Sequence, residues 1–175
     1  MVLGCKLIGA VCVLSAAIYS GISLNQAYDN RYWQLRQLYG ILMQLKSQLE
    51  YMNTTLPECF MQLKEGAKEP MKEWLFQIGS DLEKQEGERF SVIWSKNLEE
   101  LKKNAALREE DITLLQELGD KFGVQDGQSQ AKAIDYTLIQ LERNRVQLEG
   151  EMKEKKKVVT TIAMFVGFIT LIVLL

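Results

Sequence analysis

The pattern of apolar and polar positions divides the chain into three parts. Leu7 to Leu24 and Val158 to Leu175 are each 18 residues without a charge. A helix rises about 1.5 Å per residue, so about 18 to 20 residues cross a hydrocarbon core roughly 30 Å thick, and each run is just long enough. Between them the apolar residues recur at helical spacing. Leu35, Leu38, Leu42, Leu45, Leu49 and Met52 alternate steps of three and four, the stripe of a helix that pairs with another. Ile134, Leu138, Leu141, Leu148 and Met152 repeat the rhythm, with Arg145 at the one position of the seam that is not apolar. Each stripe is the simplest partner for the other, and Arg145 is expected to snorkel at the seam's edge.

Shorter helices are predicted between the stripes. Thr55-Leu56-Pro57-Glu58 has the form of a capping box with proline in the first turn, so a helix should start there and bury Phe60 and Leu63. Pro70 opens the next, with Met71, Trp74, Leu75, Ile78 and Leu82 on one face. After Gly87, a further helix carries Phe90, Ile93, Trp94, Leu98 and Leu101, and Ile112, Leu115 and Leu118 form a shorter one. Gly119 and Gly123 are expected to end that helix as left-handed caps. The tryptophans, at helical spacing among leucines, read as core anchors. With two prolines and few β-branched runs in the middle, nothing supports a sheet.

The predicted fold is therefore all-α, with two transmembrane helices continuous with an antiparallel helical stalk and a small helical-bundle head. Residues 1–24 form the N-terminal transmembrane segment, 25–157 one helical domain (stalk 30–53 and 130–157, head 54–129) and 158–175 the C-terminal transmembrane segment. Lys6 and the small residues Ser15-Ala16-Ala17 suit a signal peptide, but the apolar run continues to Leu24, which fits a retained anchor better. Arg31 and Arg36 follow the first segment, and Arg143, Arg145, Lys153, Lys155, Lys156 and Lys157 precede the second. Only Lys6 lies on the far side, so the middle is expected in the cytoplasm of a two-pass protein of the cell membrane.

Charge separates the head from its flanks. From Glu50 to Glu151 there are 21 acidic and 13 basic residues. An acidic head is a poor nucleic-acid partner, since phosphate neutralisation needs clustered lysine and arginine. Histidine is absent, which removes the commonest general base and imidazole metal ligands. Cys5, Cys12 and Cys59 show no paired spacing and read as small apolar side chains. Gly119-Asp120-Lys121-Phe122-Gly123 lacks the phosphate-loop pattern, and Asp126-Gly127 lacks the alternating ligands of a calcium loop. Glu109-Glu110-Asp111 suit the first turn of a helix, where the dipole favours acids, better than an acid/base pair. The expectation is a non-enzymatic protein without cofactor, metal or small-molecule substrate.

Leu7-Ile8-Gly9-Ala10, Arg36-Gln37-Leu38 leading to Leu49-Glu50-Tyr51, Thr55-Leu56-Pro57-Glu58, and Leu118-Gly119 with Phe122-Gly123, Asp126 and Gln130 follow in order, before a basic run and a terminal apolar segment. In that order and spacing the chain resembles the stage III sporulation protein AB family of endospore-forming bacteria. It departs from the usual pattern at Phe122, where leucine is more familiar, and at Thr54. The resemblance implies a mother-cell protein in the membrane around the forespore, part of a multi-protein channel complex. It also implies a helical fold related to the F-type platform proteins of type II secretion systems.

A platform of this kind implies a secretion-type ATPase and other membrane proteins of the same complex as partners, and it leaves homo-oligomerisation open. The acidic residues Glu109, Glu110, Asp111 and Glu117 are the candidates for docking the ATPase. The competing reading is a membrane-anchored adaptor or receptor whose helical domain binds a cytoplasmic regulator.

Overall fold

The computed structural model describes residues 2–51, 55–84, 87–122 and 127–174; in 2–25, 127–128 and most of 156–174 it describes the backbone alone. Every regular element among these residues is an α-helix, with no strand among them. The helices are α1 (Val2–Tyr51), α2 (Leu56–Glu65), α3 (Met71–Lys84), α4 (Phe90–Asn104), α5 (Glu109–Lys121) and α6 (Gly127–Leu174). The chain divides into two compact units, residues 1–30 with 147–175, and residues 31–146. Among the described residues no helix is long and apolar enough to cross a membrane. The side chains of the apolar segments 7–24 and 158–175 lie almost wholly outside the described set, and their backbone belongs to α1 and α6 through Leu174.

In the first unit, the Lys155 ammonium lies 4.1 Å from the centroid of the Tyr28 ring and donates to its hydroxyl. A cation over an aromatic face is held by the ring quadrupole, and this pair ties the α1 part of the unit to the α6 part.

In the second unit the two stripes are buried as their periodicity requires. Leu35, Leu38, Leu42 and Leu45 of α1 and Ile134, Leu138 and Leu141 of α6 are all core residues. Leu49 is half-buried, and Met52 lies outside the described residues. Lys46 of α1 donates to both Asp135 oxygens of α6 at 2.7 and 2.8 Å, which raises the lysine above its ordinary range. Arg145 does not reach away from the seam. Its guanidinium takes Glu142 in a two-bond fork (2.9 and 2.6 Å) and donates to the Tyr32 hydroxyl of α1 at 2.9 Å. A planar fork matched to a carboxylate explains how a charge sits beside an apolar stripe.

The remaining helices pack in sequence, α2 on α3, α3 on α4 and α4 on α5. The start of α2 is set as predicted. The Thr55 N–H donates to Glu58 Oε2 at 3.2 Å, and Pro57 occupies the first turn, where its missing N–H costs nothing. Gly87, with φ of +94°, makes the left-handed turn before α4. The centre is an aromatic cluster. Trp74 meets Trp94 edge to face at 5.0 Å, and Phe90 lies 5.5 Å from Trp94 and 5.3 Å from Phe122.

Gly119 does not end α5, which continues to Lys121 and is capped by Phe122 in extended conformation. Gly123 lies outside the described residues. Gly119 is required for a different reason. A Cβ built on it would lie 2.1 Å from Trp94 Cδ1, far inside van der Waals contact. The missing side chain lets the indole press against α5, and Trp94 Nε1 donates to the Leu115 carbonyl at 2.8 Å. This buried bond satisfies the indole's one polar atom.

Between α3 and α4, the buried Asn97 amide donates to Asp81 Oδ2 at 3.0 Å and Lys96 to the same oxygen at 3.2 Å. The Asn97 bond first, and Lys96 after it, hold the Asp81 carboxyl below the usual carboxylate range.

Two outcomes follow. In an exposed helix Gly→Ala gains about 1 kcal/mol, whereas Gly119→Ala is expected to lose about 1–3 kcal/mol or more through overpacking against Trp94. A fall in Tm of the full-length chain in detergent, read by circular dichroism, checks the sign. For Asp81 the folded-state pKa lies below the unfolded one, so its contribution is present above the unfolded pKa of about 3.9 and is lost as pH falls through the folded value. Between pH 5 and the acid limit the wild type should lose more stability than Asp81→Asn in parallel denaturant titrations.

Candidate functional site

Helix α5 begins at Glu109, with three acidic residues in its first turn, where unpaired N–H groups and the helix dipole favour negative charge. The third of them is also the capping residue. Asp111 reaches back to accept the Arg108 N–H at 3.0 Å, the carboxylate half of a capping box. An arginine side chain has only donors, so Asp111 alone does the side-chain capping at this end.

The same carboxylate is wholly buried, at 0% exposure. Arg31 of α1 donates to its Oδ2 from Nε at 3.0 Å and from Nη2 at 2.9 Å, and Asn144 of α6 donates to Oδ1 at 2.8 Å. With the Arg108 N–H these make four hydrogen bonds, three on Oδ2 and one on Oδ1. Arg31 is itself 4% exposed, and its Nη2 also donates to Glu110 Oε1 at 2.7 Å. One carboxylate thus joins α1, α5 and α6. Next to the junction, the Gln34 amide oxygen accepts the Ala106 N–H at 2.7 Å and fastens the α4–α5 loop to α1.

The four acidic residues singled out by sequence separate into two kinds. Glu109 and Glu117 are exposed, and Glu109 pairs with Lys102 of α4 at 2.9 Å, which raises the lysine. Glu110 is half open, with its side chain 52% exposed while it holds Arg31. Asp111 corrects the expectation of a surface carboxylate. It is turned into the fold, where burial keeps it from a partner. Arg31, read from sequence as a membrane-flanking charge, is buried with it. Part of the signal was present, because Arg31 stands four residues before Leu35 on the same stripe, whereas Asn144 sits beside the seam position that the periodicity gives to Arg145. A polar residue extending an apolar seam is a buried polar group in search of a partner.

The junction fixes geometry. The exposed acids beside it form a charged rim on α5 that the junction orients. Among the described residues no group of acidic residues and cysteine is arranged to hold a metal ion.

Comparison with known proteins agrees with this architecture. The stage III sporulation protein AB family matches residues 6–175. Stage III sporulation protein AB of Bacillus subtilis (strain 168) is 25% identical over 170 residues, covering 97% of this chain and 99% of the relative. A solved structure of a stage III sporulation protein AB superposes with a TM-score of 0.66 at 23% identity, over 71% of this chain and 97% of that one. At that identity the superposition speaks for the fold.

Asp111→Ala should cost about 3–5 kcal/mol, because it leaves the buried Arg31 charge with only the half-exposed Glu110 to pair with. Removing both charges with Arg31→Met/Asp111→Leu should cost clearly less than the single change, since apolar groups of similar volume replace a buried pair at little loss. Denaturant unfolding of the full-length chain in detergent measures the difference. A double variant as unstable as Asp111→Ala would show that the ion pair is not the decisive part of the junction.

Proposed function

The chain belongs to the stage III sporulation protein AB family, and from that premise we propose that it is a non-enzymatic platform in a sporulation channel complex between mother cell and forespore. In this reading the segments 1–24 and 158–175 anchor it in the mother-cell membrane around the forespore, with residues 25–157 in the cytoplasm. It couples a secretion-type ATPase to the membrane proteins of the complex.

The observation that carries this reading is the buried Arg31–Asp111–Asn144 junction. The two helices that bear the apolar terminal segments, α1 and α6, are also the two that this junction fixes to the acidic end of α5. A load taken up at α5 passes to the membrane-bearing helices through buried bonds, which resist displacement better than a solvated contact. No bond-making chemistry is needed for that task. The docking surface is then the exposed part of α5, Glu109 and Glu117 with the outer face of Glu110, and a basic surface on the ATPase is its complement.

Charge reversal with Glu109→Lys/Glu117→Lys leaves Glu110 and Asp111 intact, so helix content and thermal stability should stay near wild type. Co-purification of the ATPase from sporulating cells should fall sharply, and partial recovery is expected at low salt. Unchanged retention of the ATPase by a folded variant would remove α5 as its docking surface.

A further inference from the structure

One face of α6 is left bare. Tyr136, Ile139 and Val146 are 48%, 54% and 55% exposed, on the side of the helix away from the buried Ile134, Leu138 and Leu141. With Arg143 they stand at steps of three, four and three, which draws a single seam along the helix. Apolar residues scattered singly over a surface need no explanation, but a seam in register does. Isoleucine and valine are also weaker helix formers than the glutamate and glutamine beside them, so nothing local calls for them on a wet face.

Charge singles out the middle of this seam. The acids beside it are engaged within the fold, Asp135 by Lys46 at 2.7 Å and Glu142 by Arg145 at 2.6 Å. Arg143 is exposed and makes no ion pair or hydrogen bond among the described residues, and the same holds for Lys132, one turn before Tyr136. Lys121 of α5 lies over the Tyr136 ring at 5.3 Å and adds a third cation at that end. The face is thus apolar along its seam and positive at its centre and at one end.

That pattern chooses the occupant. A helix resting on a bilayer needs a broad apolar face, whereas this one is a single seam wide. A second copy pairing in parallel through the same seam would set one Arg143 against the other, and like charges across an interface are costly. A helix with its own apolar residues at alternating steps of three and four, and an aspartate or glutamate opposite Arg143, fills the seam and pairs the charge.

We propose that the face of α6 formed by Tyr136, Ile139, Arg143 and Val146 docks an amphipathic helix of another protein, whose apolar stripe carries a carboxylate opposite Arg143. Glu109 and Glu117 take no part in it, so this docking and the one at α5 can fail separately.

The test places the photoreactive amino acid p-benzoylphenylalanine in the full-length chain in sporulating cells, at Ile139 in one variant and at the neighbouring Gln140 in another. The same replacement at the exposed Lys72 of α3 is the control. Irradiation should give an adduct with a protein that the control does not capture. Sequencing of the adduct should place the crosslink in a segment with the apolar period of a helix and an aspartate or glutamate in its stripe. Arg143→Glu should cut the yield by about tenfold or more, since it sets like charges in the seam. Helix content and Tm of the purified variant should stay near wild type, because Arg143 holds no partner in the fold. Exchanging the partner's seam acid for arginine should restore the adduct with Arg143→Glu, and Glu109→Lys/Glu117→Lys should leave the yield unchanged. The proposal is overturned if neither position gives an adduct, if irradiation captures lipid or a second copy of this chain, if the captured segment lacks the apolar period or the acid, or if the yield does not respond to Arg143→Glu.

Discussion

The buried carboxylate of Asp111 is the constraint on which this arrangement of helices turns. It caps α5, holds Arg31 on α1 and takes the Asn144 amide on α6. A buried charge is tolerable only when its partners are all present, so these three helices must reach one geometry together or the carboxylate is left in a medium that cannot solvate it. Apolar seams tolerate small sliding, whereas a set of four directional bonds does not. The leucine stripes bring α1 and α6 into the core, and the junction sets which part of α5 lies against them.

The second constraint is steric. Trp94 packs at the heart of an aromatic cluster because Gly119 has no side chain to keep it away. The indole then closes its own hydrogen bond on the α5 backbone. Helix α5 is thus fixed on one side by shape and on the other by charge. This accounts for how a helix of 13 residues, too short to be stable alone, presents a defined set of acids to solvent.

The platform reading joins these features to the family. In that reading no substrate vacancy is needed, and the polar groups at the junction are directed at one another. On the same reading, what the chain offers partners is surface, the acidic rim of α5, whose solvated charge weakens as salt rises.

The sequence by itself determined the elements. Spacings of three and four residues marked the stripes of α1 and α6 and the inner faces of α2 to α5. The Thr55 capping box and Pro70 marked two helix starts, and the ordered motifs pointed to the family. These signals are local, and a helix's period and caps are written within a few residues of one another. Only the tertiary structure decided what the special residues are for. Asp111 looked like one of several surface acids and proved to be buried, because its partners Arg31 and Asn144 lie 80 positions before it and 33 after it. Gly119 looked like a helix end and proved to be a seat for Trp94, 25 residues earlier in the chain. A glycine that ends a helix and one that admits a neighbour read alike until the neighbour is in place, and a carboxylate's fate depends on which donors the fold delivers to it.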